Sequence, residues 1–183
     1  GQVLQCPYPF EKAALVVREM ADALALDLVD QGLVTDRLTL AVGYDIENLT
    51  DPARRAAYRG PVVTDHYGRS TPKPVHATAR LETPTASARE LVAAAQALME
   101  KIADPALLVR RLTLTAGRVL TEEEAQAAPV CRQLDLFHDW GAEAAKEQQA
   151  AARRAREKKM QAAMLGIKKK YGKNAILKGM DLE

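Results

Sequence analysis

The sequence predicts an α+β fold in which two helices cover one face of an antiparallel sheet. Three observations predict it. Two stretches repeat apolar residues at helical spacing, and three others alternate with period two. A short extended segment precedes the first helix, so the elements run β-α-β-β-α-β. Leu and Val are concentrated in residues 1–120, while residues 141–183 are mostly Ala, Lys, Glu, Gln and Arg. That shift predicts one core with an appended tail, a fair expectation for 183 residues.

Each element has its own signal. Gln2-Val3-Leu4-Gln5 is extended and is ended by Cys6-Pro7-Tyr8-Pro9, whose prolines bar a central strand and favour a helix just beyond. Phe10 to Leu28 carries the stripe Val17, Met20/Ala21, Leu24 and Leu28, stopped at Gln31-Gly32. Arg37 to Tyr44 sets Leu38, Leu40, Val42 and Tyr44 against Arg37, Thr39, Ala41 and Gly43, a half-buried strand with a small, polar outer face. The connection from Asp45 to Pro72 is long for a compact domain and suggests a role of its own. Within it Asp51-Pro52 caps a short helix, and His66-Tyr67-Gly68-Arg69 is a turn.

Val75 to Glu82 alternates again, with His76, Thr78, Arg80 and Glu82 outward. Ser87-Ala88-Arg89-Glu90 is a capping box opening a helix with the stripe Leu91, Ala95, Leu98 and Ile102, closed by Asp104-Pro105. Leu107 to Val119 is the last strand, with Leu112 and Leu114 inward and Arg111, Thr113 and Thr115 outward. This order is the split-βαβ, ferredoxin-like arrangement, which leaves one sheet face open. Arg37, Thr39, His76, Thr78, Arg80, Arg111, Thr113 and Thr115 are placed on that face. Cationic and hydroxyl side chains there suit phosphate oxygens and carry no base readout. The same alternation also describes an ordinary solvated sheet face.

The remaining chain reads as a linker and a tail. Residues 121–140 hold Gln133-Leu134-Asp135-Leu136-Phe137, an apolar peptide after Pro129 that a partner's pocket explains better than a local core. The alternative is that Leu134 to Phe137 packs back on the domain. Residues 141–183 form a basic helical or disordered tail. Gly141 to Met164 favours helix by propensity but has few large apolar residues, which predicts a solvated or marginal helix. Between Arg153 and Lys178 the cations meet a single acid, Glu157, although the net charge is only +2.

A catalytic constellation is not legible. His66, His76 and His138 have no ligand spacing, and no HExxH, CxxC, Gly-rich phosphate loop or GxSxG is present. Asp45 and Glu47 pair two carboxylates at a strand end, but Asp51 and Asp65 lie too far along the connection to complete an ion site. Cys6 and Cys131 fit no disulfide framework and suit a reducing, cytoplasmic setting. There is no signal peptide and no membrane-spanning apolar run. The start at Gly1 reads as that of an excised fragment.

With these features in place, nearly the whole chain resembles the C-terminal part of bacterial Y-family (translesion) DNA polymerases of the UmuC/DinB-like kind. The resemblance rests on Val3-Leu4-Gln5-Cys6-Pro7-Tyr8, Gly43-Tyr44-Asp45-Ile46-Glu47-Asn48-Leu49-Thr50, His66-Tyr67-Gly68-Arg69-Ser70, Gln133 to Phe137, and the segment Lys168 to Lys178. It implies that residues 1–120 are a little finger domain, which lays its open sheet along primer-template DNA. Arg37, Thr39, His76, Thr78, Arg80, Arg111 and Thr113 then become backbone contacts, joined by Arg69 and Lys73 from the preceding loop. It implies a second partner, the sliding clamp (the beta subunit of the replicase). Leu136 and Phe137 would fill the clamp's pocket, with Leu134 at its rim and Gln133 on its wall. The family's catalytic carboxylates and Mg2+ ions belong to an upstream palm that no part of this chain resembles. This chain is therefore expected to bind but not polymerise, without cofactor of its own. A non-catalytic clamp-binding adaptor and a small enzyme on the same fold are the rival readings.

Overall fold

The computed structural model describes residues 1–127, 140–172 and 175–176. Its main sheet is built from β1 (Gln2–Tyr8), β2 (Leu33–Tyr44), β5 (Val75–Thr85) and β6 (Val109–Thr121) in the order β1-β6-β2-β5. All three neighbouring pairs are antiparallel. Strands β1 and β2 are thus parallel with β6 between them, and β5 and β6 are parallel with β2 between them. Helix α1 (Phe10–Gln31) joins the first of these pairs and α4 (Ala88–Ile102) the second. Two interlocked split βαβ units follow, the arrangement expected from the element order.

The core lies between the two helices and one sheet face. Ala13, Val17, Ala21 and Leu28 of α1 meet Leu91, Ala95, Leu98 and Met99 of α4 above Leu38, Leu40, Val42 and Leu112. Alanines at alternate turns of α1 let the helices approach closely, while branched residues on the strands fill the layer beneath. Truncating a fully buried leucine such as Leu40 removes about 2–5 kcal/mol by transfer and cavity terms. Gly32 ends α1 at φ +67, and its N–H reaches the carbonyls of Leu28 and Val29.

The strands run further than their alternation predicts. β1 continues through Pro7 to Tyr8, with its register slipping between Val3 and Tyr8. β1 is an edge strand, where a missing N–H leaves no ladder bond unmade. β5, the other edge, likewise passes through Pro84, and the β2–β5 register shifts between Thr35 and Arg37.

The long connection is ordered in a definite way. It folds as α2 (Glu47–Thr50), α3 (Pro52–Ala57) and a hairpin of β3 (Val62–Thr64) with β4 (Ser70–Pro72). The fully buried Asn48 anchors it. Its Nδ2 donates to the carbonyls of Asp45 and Leu108, and its Oδ1 accepts from the Leu108 N–H at 2.8 Å. Asp51 caps α3 by accepting from the Arg54 N–H at 2.8 Å.

Helix α5 (Glu122–Ala127) opens with a reciprocal capping box between Thr121 and Glu124. The bond from the Thr121 N–H, followed by its hydroxyl, holds the Glu124 carboxyl below the usual range. Helix α6 (Trp140–Tyr171) is formed as propensity predicts, but it is not solvated on all sides. Its second half lies against the helical layer, and Gln161 is only 3% exposed, donating to the Ala86 carbonyl. Glu157 accepts from the Ser87 hydroxyl at 2.6 Å and from the Arg89 N–H at 2.9 Å. The expected capping box at Ser87 is therefore half made. Ser87 accepts from the Glu90 N–H, while the Glu90 carboxylate turns to Arg154 of α6 at 2.8 Å.

Candidate nucleic-acid interface

The uncovered face of the sheet is organised in rows set by strand register. Arg37 lies between Arg80 and Gly117, Thr39 between Thr78 and Thr115, and Ala41 between His76 and Thr113. Arg111 stands between Gly43 and Val3. Successive rows are two residues apart, or about 7 Å along the strands. Seven of the nine candidate contact residues thus share one surface, with Thr115 added to them.

Local chemistry shapes each row. The Thr39 and Thr78 hydroxyls are hydrogen-bonded at 2.7 Å, which leaves one proton and three lone pairs to offer to other groups. Small residues make room for the long ones. A Cβ on Gly117 would stand 3.4 Å from the Arg37 Cβ, and one on Gly43 would stand 3.3 Å from the Arg111 Cβ. The Arg37 and Arg80 guanidinium groups belong to directly paired residues, a like-charge placement that a sheet does not favour. Among the described residues no carboxylate pairs with Arg80 or Arg111. Arg37 has only Asp36 near it, at 3.9 Å, and its Nε is buried without a hydrogen-bond partner.

The end of this face holds a feature that the alternation did not reveal. Arg118 sits at φ +46, the one non-glycine residue with positive φ among those described, and its Nη1 bonds Asp36 Oδ2 at 2.8 Å. A glycine inside a strand pattern, here Gly117, is the sequence signal for such an irregularity. A single carboxylate, Asp36, therefore stands beside two arginines.

Two candidates stand off the sheet. Arg69 is at the tip of the β3–β4 hairpin, where Nε and Nη2 both reach Asp65 Oδ2 at 2.8 Å and the guanidinium lies over the Tyr67 ring. The Arg69 N–H, together with that side chain, holds the Asp65 carboxyl below its usual range. Lys73 lies between β4 and β5, exposed, with its N–H on the Pro61 carbonyl. Gln133, Leu134, Leu136 and Phe137 lie outside the described residues.

Asp45, half of the carboxylate pair, is occupied locally. Its Oδ1 accepts from the Glu47 N–H at 2.8 Å, and its Oδ2 lies 3.6 Å from Arg110 Nε. Among the described residues no group of three or more His, Cys, Asp and Glu is placed to hold a metal ion. No helix among them is long and apolar enough to cross a membrane.

Residues 8–136 match the profile of the impB/mucB/samB family C-terminal domain. No curated protein matches the chain. The match begins at the last residue of β1 and runs through the other three strands of the main sheet. It agrees with the UmuC/DinB-like resemblance and with the split-βαβ order of the strands. The chain belongs to the impB/mucB/samB family, and residues 8–136 are the C-terminal domain of a UmuC-type polymerase.

Proposed function

We propose that the open sheet face grips the sugar-phosphate backbone of primer-template DNA, so that a translesion polymerase holds its substrate during damage tolerance. The observation that carries this reading is the row pattern itself. Arg37, Arg80 and Arg111 stand on an uncovered face with hydroxyl rows between them, and Arg80 and Arg111 have no carboxylate partners among the described residues. Arginines supply charge for phosphates, while Thr39, Thr78, Thr113 and Thr115 supply short hydrogen bonds that position the strand. No base-reading device is needed, and tolerance of sequence follows. Nucleotidyl transfer with its Mg2+ is the task of the parent's palm; this chain contributes grip and placement.

The Gln133–Phe137 peptide adds recruitment, by docking Leu136 and Phe137 in the sliding clamp of a cytoplasmic replicase. Such an attachment raises the local concentration of the polymerase at the primer end. The test of the grip is DNA binding by the intact chain on primer-template duplex over a salt series, with Arg111→Ala and Thr113→Ala compared against it. Binding that weakens with salt, with a shallower salt slope for Arg111→Ala, supports the reading. Identical curves for all three proteins would overturn it and leave a clamp-tethered adaptor in its place.

A further inference from the structure

A cavity of about 840 Å3 opens at the end of the sheet where β2 finishes and β5 begins. Tyr44, Val75 and Leu107 form its floor, and Tyr58, Pro61 and Pro74 form its side. Tyr44 and Val75 belong to the side of the sheet that faces the core, so the opening is turned away from the arginine rows. One wall is the long connection after β2, to which the DNA grip assigns no task.

The walls are built and held in place. The Tyr58 hydroxyl donates to the Pro61 carbonyl at 2.7 Å, and Gly60 is pressed so closely on that ring that a Cβ would stand 2.5 Å from its oxygen. Asn48 fixes the start of the connection to the strand that follows Leu107. The Tyr44 oxygen accepts from the Asp104 N–H at 3.0 Å, leaving its proton available to an occupant. Burial pushes the pKa of that hydroxyl up, so it remains a donor at neutral pH.

The rim is cationic. Arg54 and Arg59 each use one guanidinium nitrogen on nearby carbonyls, Arg54 on Ala106 at 3.3 Å and Arg59 on Ala56 at 2.5 Å and Tyr58 at 3.1 Å, and keep the others free. Lys73 is exposed beside them, and among the described residues no carboxylate pairs with any of the three. Asp104 is the one acid in the lining, and its Oδ1 is taken by the Ala106 N–H. Three cations around an apolar, tyrosine-walled floor do not suit a bare phosphate backbone, which has nothing apolar to bury. They suit a chain that carries both parts.

We propose that this cavity docks an acidic peptide of a protein partner. An aromatic or aliphatic side chain would enter between Tyr44 and Tyr58, and flanking Asp or Glu would meet Arg54, Arg59 and Lys73. Buried anchors of this kind, ringed by complementary charge, are how small interfaces gain affinity and orientation. The site stands on the other side of the sheet from the arginine and threonine rows, and of its residues only Lys73 is shared with the candidate DNA contacts. The proposal does not depend on that grip.

The experiment is a display library of random peptides of about a dozen residues, panned against the intact chain. Selected peptides are then synthesised and titrated on the wild type, Arg59→Glu and Ala57→Trp. The expected peptides carry Phe, Trp, Tyr or Leu flanked by Asp or Glu. Arg59→Glu should weaken them about tenfold and Ala57→Trp, which fills the cavity, should abolish binding. Both variants should melt and bind primer-template as the wild type does. Arg59→Glu decides alone if Ala57→Trp fails to fold. Selection of peptides without acids, affinities within twofold for Arg59→Glu, or no selected peptide would overturn the proposal.

Discussion

Arg80→Ala should weaken DNA binding while leaving the fold as stable as before, or more so. Arg80 is the direct cross-strand partner of Arg37, and like charges in that position disfavour a sheet by about 0.2–1 kcal/mol. Arg80 is exposed, so little buried area is lost with its side chain. A shift of this size corresponds to a rise in Tm of up to a few degrees for a domain of about 100 residues. The effect on DNA runs the other way. Each neutralised phosphate contributes about 0.9 to the slope of log K against log salt on duplex DNA. Arg37, Arg80 and Arg111 together therefore supply a slope of about 2.7, or roughly 40-fold in affinity between about 50 and 200 mM salt. Without Arg80 the slope falls to about 1.8 and the loss to roughly 12-fold. The tail adds the same term to both proteins, so the difference between the two slopes reads the sheet alone. Fluorescence anisotropy of a labelled primer-template over the salt series gives the slopes, and a thermal melt gives the stability. A variant that melts lower and keeps the wild-type slope would refute the reasoning, because Arg80 would then be a structural residue.

Other outcomes test the remaining parts. Leu136→Ala combined with Phe137→Ala should abolish binding to an immobilised bacterial sliding clamp and leave the DNA slope unchanged; retained clamp binding would rule out the peptide as the anchor. Asn48→Leu leaves the Leu108 N–H unpaired at a fully buried site and takes one bond from each of the Asp45 and Leu108 carbonyls, which keep backbone donors, and should cost about 1–3 kcal/mol in urea unfolding. Glu157→Ala removes two bonds at the start of α4 and should weaken α6 docking by about 1–2 kcal/mol, seen as faster amide exchange over residues 154–169 with no change at Leu91 to Leu98. Asp65 has a lowered pKa, so its support of the hairpin turn is complete above the ordinary carboxylate value of about 3.9 and is lost as pH falls through the lowered one. The Arg69 Nε–H resonance should accordingly keep its hydrogen-bonded shift in mild acid and move toward the free value only below about pH 4.

Most of the sheet was legible because burial on one side writes itself as alternation. Leu38, Leu40 and Val42 are buried and Arg37, Thr39 and Ala41 are less so, and a period-two pattern has only one way to place them. The strand ends were less legible, because Pro7 and Pro84 read as terminators and edge strands accommodate them. Arg69 and Lys73 lie in the connection before β5, where the sequence puts them, with Arg69 at the hairpin tip bonded to Asp65 beside the turn at Gly68. The docking of α6 escaped the pattern for a different reason. Arg154, Glu157, Gln161, Met164, Leu165 and Lys168 recur at helical spacing and are all at least half-buried, yet most of them are polar. The stripe that docks is a polar one, which hydrophobic periodicity does not mark. Glu157, the only acid between Arg153 and Lys178, was the available clue.

The net charge of +2 conceals how differently the cations on the two sides of the domain are partnered. On the helical side Glu90, Glu122 and Asp30 each hold a cation of α6, namely Arg154, Lys158 and Lys169. These pairs are substantially exposed, so each is worth about 0–1 kcal/mol, and together they position the helix more than they stabilise the fold. A polyanion reaching those three cations must first displace the domain's own carboxylates. On the sheet side no such competition exists for Arg80 or Arg111, and Asp36 lies only at the margin of Arg37. Arg153, Arg156, Lys159, Lys168 and Lys170 of α6 have no carboxylate partner among the described residues, so the tail, like the sheet, keeps available cations. The salt slope of the intact chain would therefore sum both surfaces, and only the difference made by Arg80→Ala reads the sheet.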